Sequence, residues 1–393
     1  MAERPRFLLV TRNLPPLVGG MERLNWHMAE ELARYGEVRV IGPAGSAAQA
    51  PAGVEIVEVP LRPLWKFLAS ACFAACRLAR RWRPDVVIAG SGLTALPVWL
   101  AARSAGARAA TYVHGLDMAV SHPVYRGLWF PALRRMERII ANSEATRALA
   151  ISAGVAASRI RIVHPGVQMP ALPDTDATKR FRAEHDLGDR PLLLSVGRLS
   201  TRKGMREFVQ HALPRIVQSV PEATLLVIGD APNDALHARA QTIDSIKAEA
   251  ARAGVAERLR FLGQITDYRQ LGVIYGAADV HVFPVRELPG DPEGFGMVAV
   301  EAAAHGLPTV AFATGGVIDA VAEGRSGHLV EAGDYGALAD AVVAALKSHA
   351  EFAQPCRDFA QGFAWDAFGD GVAQALSIDI VDPHRASASS SRG

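Results

Sequence analysis

The sequence predicts an α/β protein built from two doubly wound, parallel-sheet units. Short β-rich apolar runs alternate with longer helical patterns, which implies parallel strands covered by helices on both faces. The alternation stops at a polar, proline-bearing stretch and then starts again. A length of 393 residues agrees, being too long for one ordinary core and suited to two.

The first unit, residues 1–168, contains "RFLLVT", a helix over about 22–35, "VRVIG", a helix over 63–82, "DVVIAG", a helix near 94–105, "AATYVHG" and "RIRIVHPGV". Residues 169–189 have proline and charge with little periodicity and are expected to be a linker. The second unit, residues 190–362, opens with "PLLLSVG" and continues through a helix over 204–219, "ATLLVIGD", a helix near 236–253, "LRFLGQI" and "ADVHVFP". A helix inside "FGMVAVEAAAH" and the run "PTVAFA" follow. The small, polar end at 382–393 reads as disordered. Two such units are expected to enclose a deep cleft at the C-terminal ends of their strands, where the motifs should meet.

Composition narrows the function. Half of the residues are apolar and 21% are charged, which fits a globular chain. No apolar run reaches the roughly 18 residues of a spanning helix, and the start reads as a first strand, not a signal peptide. Three cysteines, Cys72, Cys76 and Cys356, with no zinc-type spacing, argue against a disulfide framework or structural metal and fit a reducing cytoplasm. Net charge is only +2, yet residues 1–168 hold 21 Lys and Arg against 11 Asp and Glu. The first half is therefore expected to face something anionic.

Four stretches carry candidate chemistry. In "GDPEGFGMVAVEAAAHG", Glu293 lies just before a helix and Glu301 within it, the helix closed by Gly306. Were both helical they would stand ~12 Å apart, against the about 5 to 5.5 Å of a double-displacement carboxylate pair. Two grips on one ligand are the better reading. The amides of Phe295, Gly296, Met297 and Val298 occupy a helix N-terminus, which suits a diphosphate. In "SVGRLSTRKG", Arg198 and Lys203 follow a strand and are placed to reach a pyrophosphate. Gly19 and Gly20 lie between the first strand and a helix, but they form no G-x-G-x-x-G fingerprint, and no P-loop occurs. In "TYVHGLD", His114 and Asp117 sit at a strand end, where a histidine can bond a substrate hydroxyl.

Together with "ANSEATR", "HPGV", "FLGQI" and "TGGV", these stretches resemble, in order and spacing, the retaining nucleotide-sugar glycosyltransferases of family 4. The resemblance spans most of the chain and implies the GT-B architecture. It implies that Arg198 and Lys203 bind the diphosphate, Glu293 the donor-sugar hydroxyls and Glu301 the ribose. It places Gly263 and Ile265 by the base, the loop from Phe295 to Val298 by sugar and phosphate, Gly20 with Gly19 beside the diphosphate, and His114 near the reaction centre. It also implies that a segment at "FAWDAF" leads a helix, residues 363–381, back to the N-terminal domain. A hexose would pass from a UDP- or GDP-sugar to a hydroxyl of a glycan or lipid-linked acceptor, with retention and without a metal or other cofactor. Cell-envelope polysaccharide or glycolipid synthesis is the expected setting. The "DTD" at 174–176 lies in the linker and reads as solvated. A nucleotide-sugar epimerase of the same fold and a non-catalytic binding module are the alternatives.

On the helix over 63–82, with Pro63 as its expected first residue, Arg62, Lys66, Arg77, Arg80 and Arg81 share one face with Phe73 among them. Leu64, Leu68, Leu78 and Trp82 lie opposite. Such a face suits anionic lipid headgroups, and several family members act on lipid-linked acceptors. A cytoplasmic protein peripheral to the inner face of the membrane is expected, with no nucleic-acid partner.

Overall fold

The computed structural model describes residues 4–170, 174–231 and 241–377. They form two compact units. The first comprises the chain up to Ala141, Arg147–Val163 and the chain from Trp365 on; the second comprises Asn142–Thr146 and His164–Ala364.

The first unit holds a seven-stranded sheet of β1 Arg6–Val10, β2 Glu37–Pro43, β3 Glu55–Val59, β4 Val86–Ala89, β5 Arg108–Val113, β6 Arg138–Ala141 and β7 Ile160–Ile162. Its order is β3-β2-β1-β4-β5-β6-β7, and every pairing is parallel. Central strands such as β4, Val-Val-Ile-Ala, are buried throughout, as parallel strands with two covered faces must be. The helix Leu64–Trp82 turns Phe67, Ala71, Ala75 and Ala79 inward at successive i, i+4 positions. That seam joins the helices Ala95–Ala105 and Pro123–Leu133 in one core with Val10, Val87 and Val113 of the sheet. Pro63 stands one position earlier than expected, as an extended residue before the helix. The helix Gly20–Leu32 packs against the last described helix, Trp365–Ala375, through His27 stacked on Trp365 at 3.9 Å and a hydrogen bond from the Tyr35 hydroxyl to Asp370.

The second unit repeats the plan with six strands: β8 Leu192–Val196, β9 Thr224–Ile228, β10 Leu259–Gly263, β11 Val280–Phe283, β12 Thr309–Phe312 and β13 Gly327–Val330. Their order, β10-β9-β8-β11-β12-β13, matches that of β3 through β6 in the first sheet. Both are Rossmann-type orders whose direction reverses beside β1 and β8, where ligands of such sheets bind outside the carboxyl ends.

Several expected elements differ. The stretch 169–189 is not featureless: it carries the helix Thr175–Glu184, and Asp174 of "DTD" caps that helix by accepting from the amides of Asp176 and Ala177. The helix expected over 204–219 is two, Met205–His211 and Leu213–Ser219, because Pro214 supplies no amide to continue the first. The helix expected near 236–253 runs Ile243–Arg252, capped by the Thr242 hydroxyl, while residues 232–240 lie outside the described residues. The helix expected over 363–381 spans Trp365–Ala375, and the tail 382–393 lies outside the described residues.

Candidate active site

In the second unit the candidate residues flank the switch point. Arg198 and Lys203 follow β8, and Glu293 lies in the loop after β11. A short 3-10 turn, Thr201–Lys203, ends at Gly204, whose φ is +69° and where an added Cβ would stand 2.3 Å from the Pro284 carbonyl. Only glycine lets the two loops approach so closely. The approach brings the Lys203 ammonium 2.8 Å from Glu293 Oε2 and 4.5 Å above the Phe283 ring. Arg202, which the sequence reading passed over, donates to the same Glu293 oxygen and lies 3.2 Å from Asp291. Arg198 is exposed and touches neither acid, but its charge acts on the pair.

Burial sets the electrostatics. Burial pulls the Lys203 ammonium below its ordinary pKa, with Glu293 opposing that shift. Burial would raise Glu293, but Lys203 and Arg202 outweigh it and hold the carboxyl below its usual range. Arg202 is a second cation on the same carboxylate.

The Glu293 loop is fixed from behind by "TGGV". Gly316 N–H donates to the Glu293 carbonyl at 2.9 Å, and a Cβ on Gly316 would fall 2.0 Å from Gly294 O. The helix Met297–Ala304 begins at Gly296, with φ +96° and no side-chain cap, so its first amides are presented by Met297 and Val298 without a covering side chain. Phe295 is buried and stacked on His164, and its side chain belongs to the core beneath the loop. The helix closes as expected: Gly306 N–H bonds Ala303 O at 2.8 Å and Leu307 N–H bonds Ala302 O at 2.9 Å.

Glu301 is inside this helix and buried, where Tyr275, missed in the sequence, donates its hydroxyl to Glu301 Oε2 at 3.3 Å. Ile265 and Val298 border the same apolar cluster as Tyr275. Gly263 ends β10 at φ +67°, and its carbonyl accepts from Gly229 N–H at 2.8 Å. The structure therefore brings Lys203 and Glu293 together directly, ties Glu301 to Tyr275, and sets Ile265 and Val298 against the apolar cluster to which Tyr275 belongs.

In the first unit, His114 follows β5. Its Nε2 lies 3.0 Å from the Gly90 carbonyl, which can only accept, so the neutral ring carries its proton there and leaves Nδ1 as an acceptor. Asp117 Oδ2 accepts from the amides of His114 and Gly92, at 3.1 and 3.0 Å, tying the loops after β4 and β5 together. Gly19 caps the helix Gly20–Leu32, and Glu22 folds back beside it while accepting from Asn13 at 2.6 Å. That carboxylate at the helix start was not foreseen.

On the helix Leu64–Trp82, Arg62 before it and Lys66, Phe73, Arg77, Arg80 and Arg81 are all exposed, Phe73 to 69%. Trp65, exposed to 71%, joins them. Among the described residues no helix is long and apolar enough to cross a membrane.

Comparison with known proteins identifies the family and agrees with the fold. Residues 18–169 match the family described as Glycosyltransferase Family 4, and residues 190–348 the one described as Glycosyl transferases group 1. The GDP-mannose-dependent alpha-(1-6)-phosphatidylinositol monomannoside mannosyltransferase of Mycolicibacterium smegmatis is 30% identical over 94% of this chain and 98% of its own. The D-inositol 3-phosphate glycosyltransferase of Xylanimonas cellulosilytica is 30% identical over 96% of each chain. In fold, the chain matches Anabaena HepE, whose structure is a complex with UDP, at a TM-score of 0.77 and 22% identity, covering 95% of this chain and 99% of that one. These two α/β units define a glycosyltransferase of GT-B architecture. The chain belongs to glycosyltransferase family 4.

Proposed function

We propose that this enzyme moves a hexose from a nucleoside diphosphate sugar to a hydroxyl of a glycan or lipid-linked acceptor, retaining the anomeric configuration and needing no metal or other cofactor. The observation that carries the reading is the Lys203–Glu293 pair, 2.8 Å apart, beside a helix whose first amides no side chain caps. Lys203, Arg198 and those amides supply positive charge for the leaving diphosphate without a cation. Glu293 has a second oxygen for sugar hydroxyls. Glu301, steadied by Tyr275, takes the ribose hydroxyls, and Gly263 and Ile265 flank the base. From the first unit, Gly19 and Gly20 serve the diphosphate, and His114 offers Nδ1 to a hydroxyl. In a same-face attack, the bond from C1 to the leaving phosphate oxygen breaks as the acceptor oxygen bonds C1. The acceptor proton passes to the departing phosphate.

The Mycolicibacterium relative, named for GDP-mannose and a phosphatidylinositol mannoside, makes GDP-mannose and a phosphoinositide acceptor the first pair to test. UDP-glucose is the second donor, and synthesis of a cell-envelope glycan or glycolipid is the proposed setting. Product analysis by mass spectrometry and anomeric proton NMR, with and without acceptor and EDTA, decides. An acceptor-linked α-hexoside formed in EDTA is expected. Donor turnover without acceptor indicates an epimerase or hydrolase, and binding without turnover a binding module; either result, an inverted product or metal dependence overturns the proposal.

For the acceptor side we propose peripheral attachment to the inner face of the cytoplasmic membrane through the face bearing Arg62, Lys66, Arg77, Arg80, Arg81 and Phe73. Its basic heads and exposed ring support this. Co-sedimentation with anionic vesicles at low salt, lost on Phe73→Glu with Arg80→Ala, is the expected result; failure of the wild type to sediment at low salt removes the idea.

A further inference from the structure

Glu207 lies in the first turn of the helix Met205–His211, only 8% exposed, and is not among the residues placed in the site. Its carboxylate accepts from Arg286 Nη1 at 2.8 Å, Gln241 Nε2 at 2.7 Å and Arg206 Nη2 at 3.3 Å. A carboxylate this far from water costs free energy unless fully bonded, and three donors meet that need.

Two of those donors hold the loop that carries Arg198, Arg202 and Lys203. Arg286 N–H donates to the Arg202 carbonyl at 2.7 Å. Gln241 N–H donates to the Leu199 carbonyl at 2.8 Å, and its side-chain oxygen accepts from Arg206 N–H at 3.0 Å. The loop is thus fastened at its start, middle and end, and each fastening runs through a residue bonded to Glu207. Arg202 and Lys203 in turn both grip Glu293.

We infer that Glu207, through Arg286 and Gln241, is a positioning residue for diphosphate recognition. It sets the backbone from which Arg198 and Lys203 reach the two phosphates and touches no ligand itself. The inference rests on the proposed diphosphate role of Arg198 and Lys203. It predicts a selective defect: without Glu207 the loop loses its register, so affinity for a nucleoside diphosphate falls while affinity for the monophosphate, which lacks the terminal phosphate, stays.

The test measures GDP, GMP, UDP and UMP binding by calorimetry to wild type, Glu207→Ala, Glu207→Gln and Lys203→Ala. Expected is a ten- to hundredfold weaker diphosphate affinity in Glu207→Ala, an unchanged monophosphate affinity that also reports folding, and partial rescue in Glu207→Gln, which keeps one acceptor oxygen. Equal weakening of both nucleotides marks a merely structural residue and overturns the inference, as does wild-type binding of both. Should Lys203→Ala erase the preference for the diphosphate and Glu207→Ala leave it, only the Glu207 inference fails. Should the wild type show no preference that depends on Lys203, the diphosphate reading fails and this inference with it.

Discussion

Replacing Lys203 with methionine removes an ammonium 2.8 Å from a carboxylate that is only 11% exposed. At an effective dielectric constant of about 20, that contact carries ~6 kcal/mol of gross attraction. Most of it is offset by desolvating both groups, and removing one partner of a buried pair typically costs about 3–5 kcal/mol. Here Arg202 remains on the same oxygen, so a smaller loss of ~1–3 kcal/mol is expected. A cycle of Lys203→Met, Glu293→Gln and the double variant isolates the interaction. Urea unfolding followed by far-UV circular dichroism is the assay, because all six tryptophans belong to the first unit. The double variant should be more stable than the summed single losses by ~1 kcal/mol or more. Additivity within about 0.5 kcal/mol would show that the two charges are neighbours without coupling. Transfer should fall by at least ~100-fold in either single variant, the usual cost of one group that stabilises transition-state charge. Near-wild-type turnover would refute the site assignment.

Gly316→Ala should lower the melting temperature and activity together, because its Cβ would stand 2.0 Å from Gly294 O and displace the Glu293 loop. An overpacking cost of ~1–3 kcal/mol is expected in urea unfolding, and an unaffected protein would show that the loop yields freely. Acid should destabilise the fold below pH 6.5. Burial lowers His27 to about 4, with Arg23 adding to the shift, and burial lowers His281 to about 3, with Lys203 adding to it, so both are neutral in the folded chain and take up protons on unfolding. Stability then falls with pH from 6.5 towards 4, by at most ~2.7 kcal/mol per unit for the two. Urea midpoints at pH 7, 6 and 5 measure the slope, and His27→Gln should remove about half of it. Tyr275→Phe should weaken nucleoside affinity a few-fold by removing one hydrogen bond that orients Glu301, measurable by calorimetry; no change would detach this hydrogen bond from the ribose role.

Hydrophobic periodicity made most of the central strands readable, because parallel strands buried on both faces are continuous apolar runs; β6, Arg-Ile-Ile-Ala, is buried from Ile139 on but too short to stand out. Periodicity also failed where burial on both faces lapses. β3, Glu-Ile-Val-Glu-Val, is an edge strand paired only with β2 and keeps two glutamates, so it reads as polar. The helix Thr175–Glu184 buries only Phe181, and its one strong signal, the Asp174 cap, reads equally as a solvated acidic cluster. In the site, Lys203 and Glu293 were legible through motif order. Arg202 stands beside Lys203 in "STRKG", but sequence spacing cannot tell which of two adjacent cations turns towards an acid 91 positions later. The same limit hid Tyr275 and Glu207, whose partners come from other loops and helices.

The helix Trp365–Ala375 belongs to the first unit although all of the second precedes it. Cutting the chain near residue 168 would therefore not release an intact half. Such a fragment would expose the surface of Gly20–Leu32 that Trp365 and Gly369 cover, and it should aggregate or demand a chaperone. Any attempt to express the first unit alone must carry residues 365–377 with residues 4–163. During synthesis that unit stays incomplete until all of the second has been made.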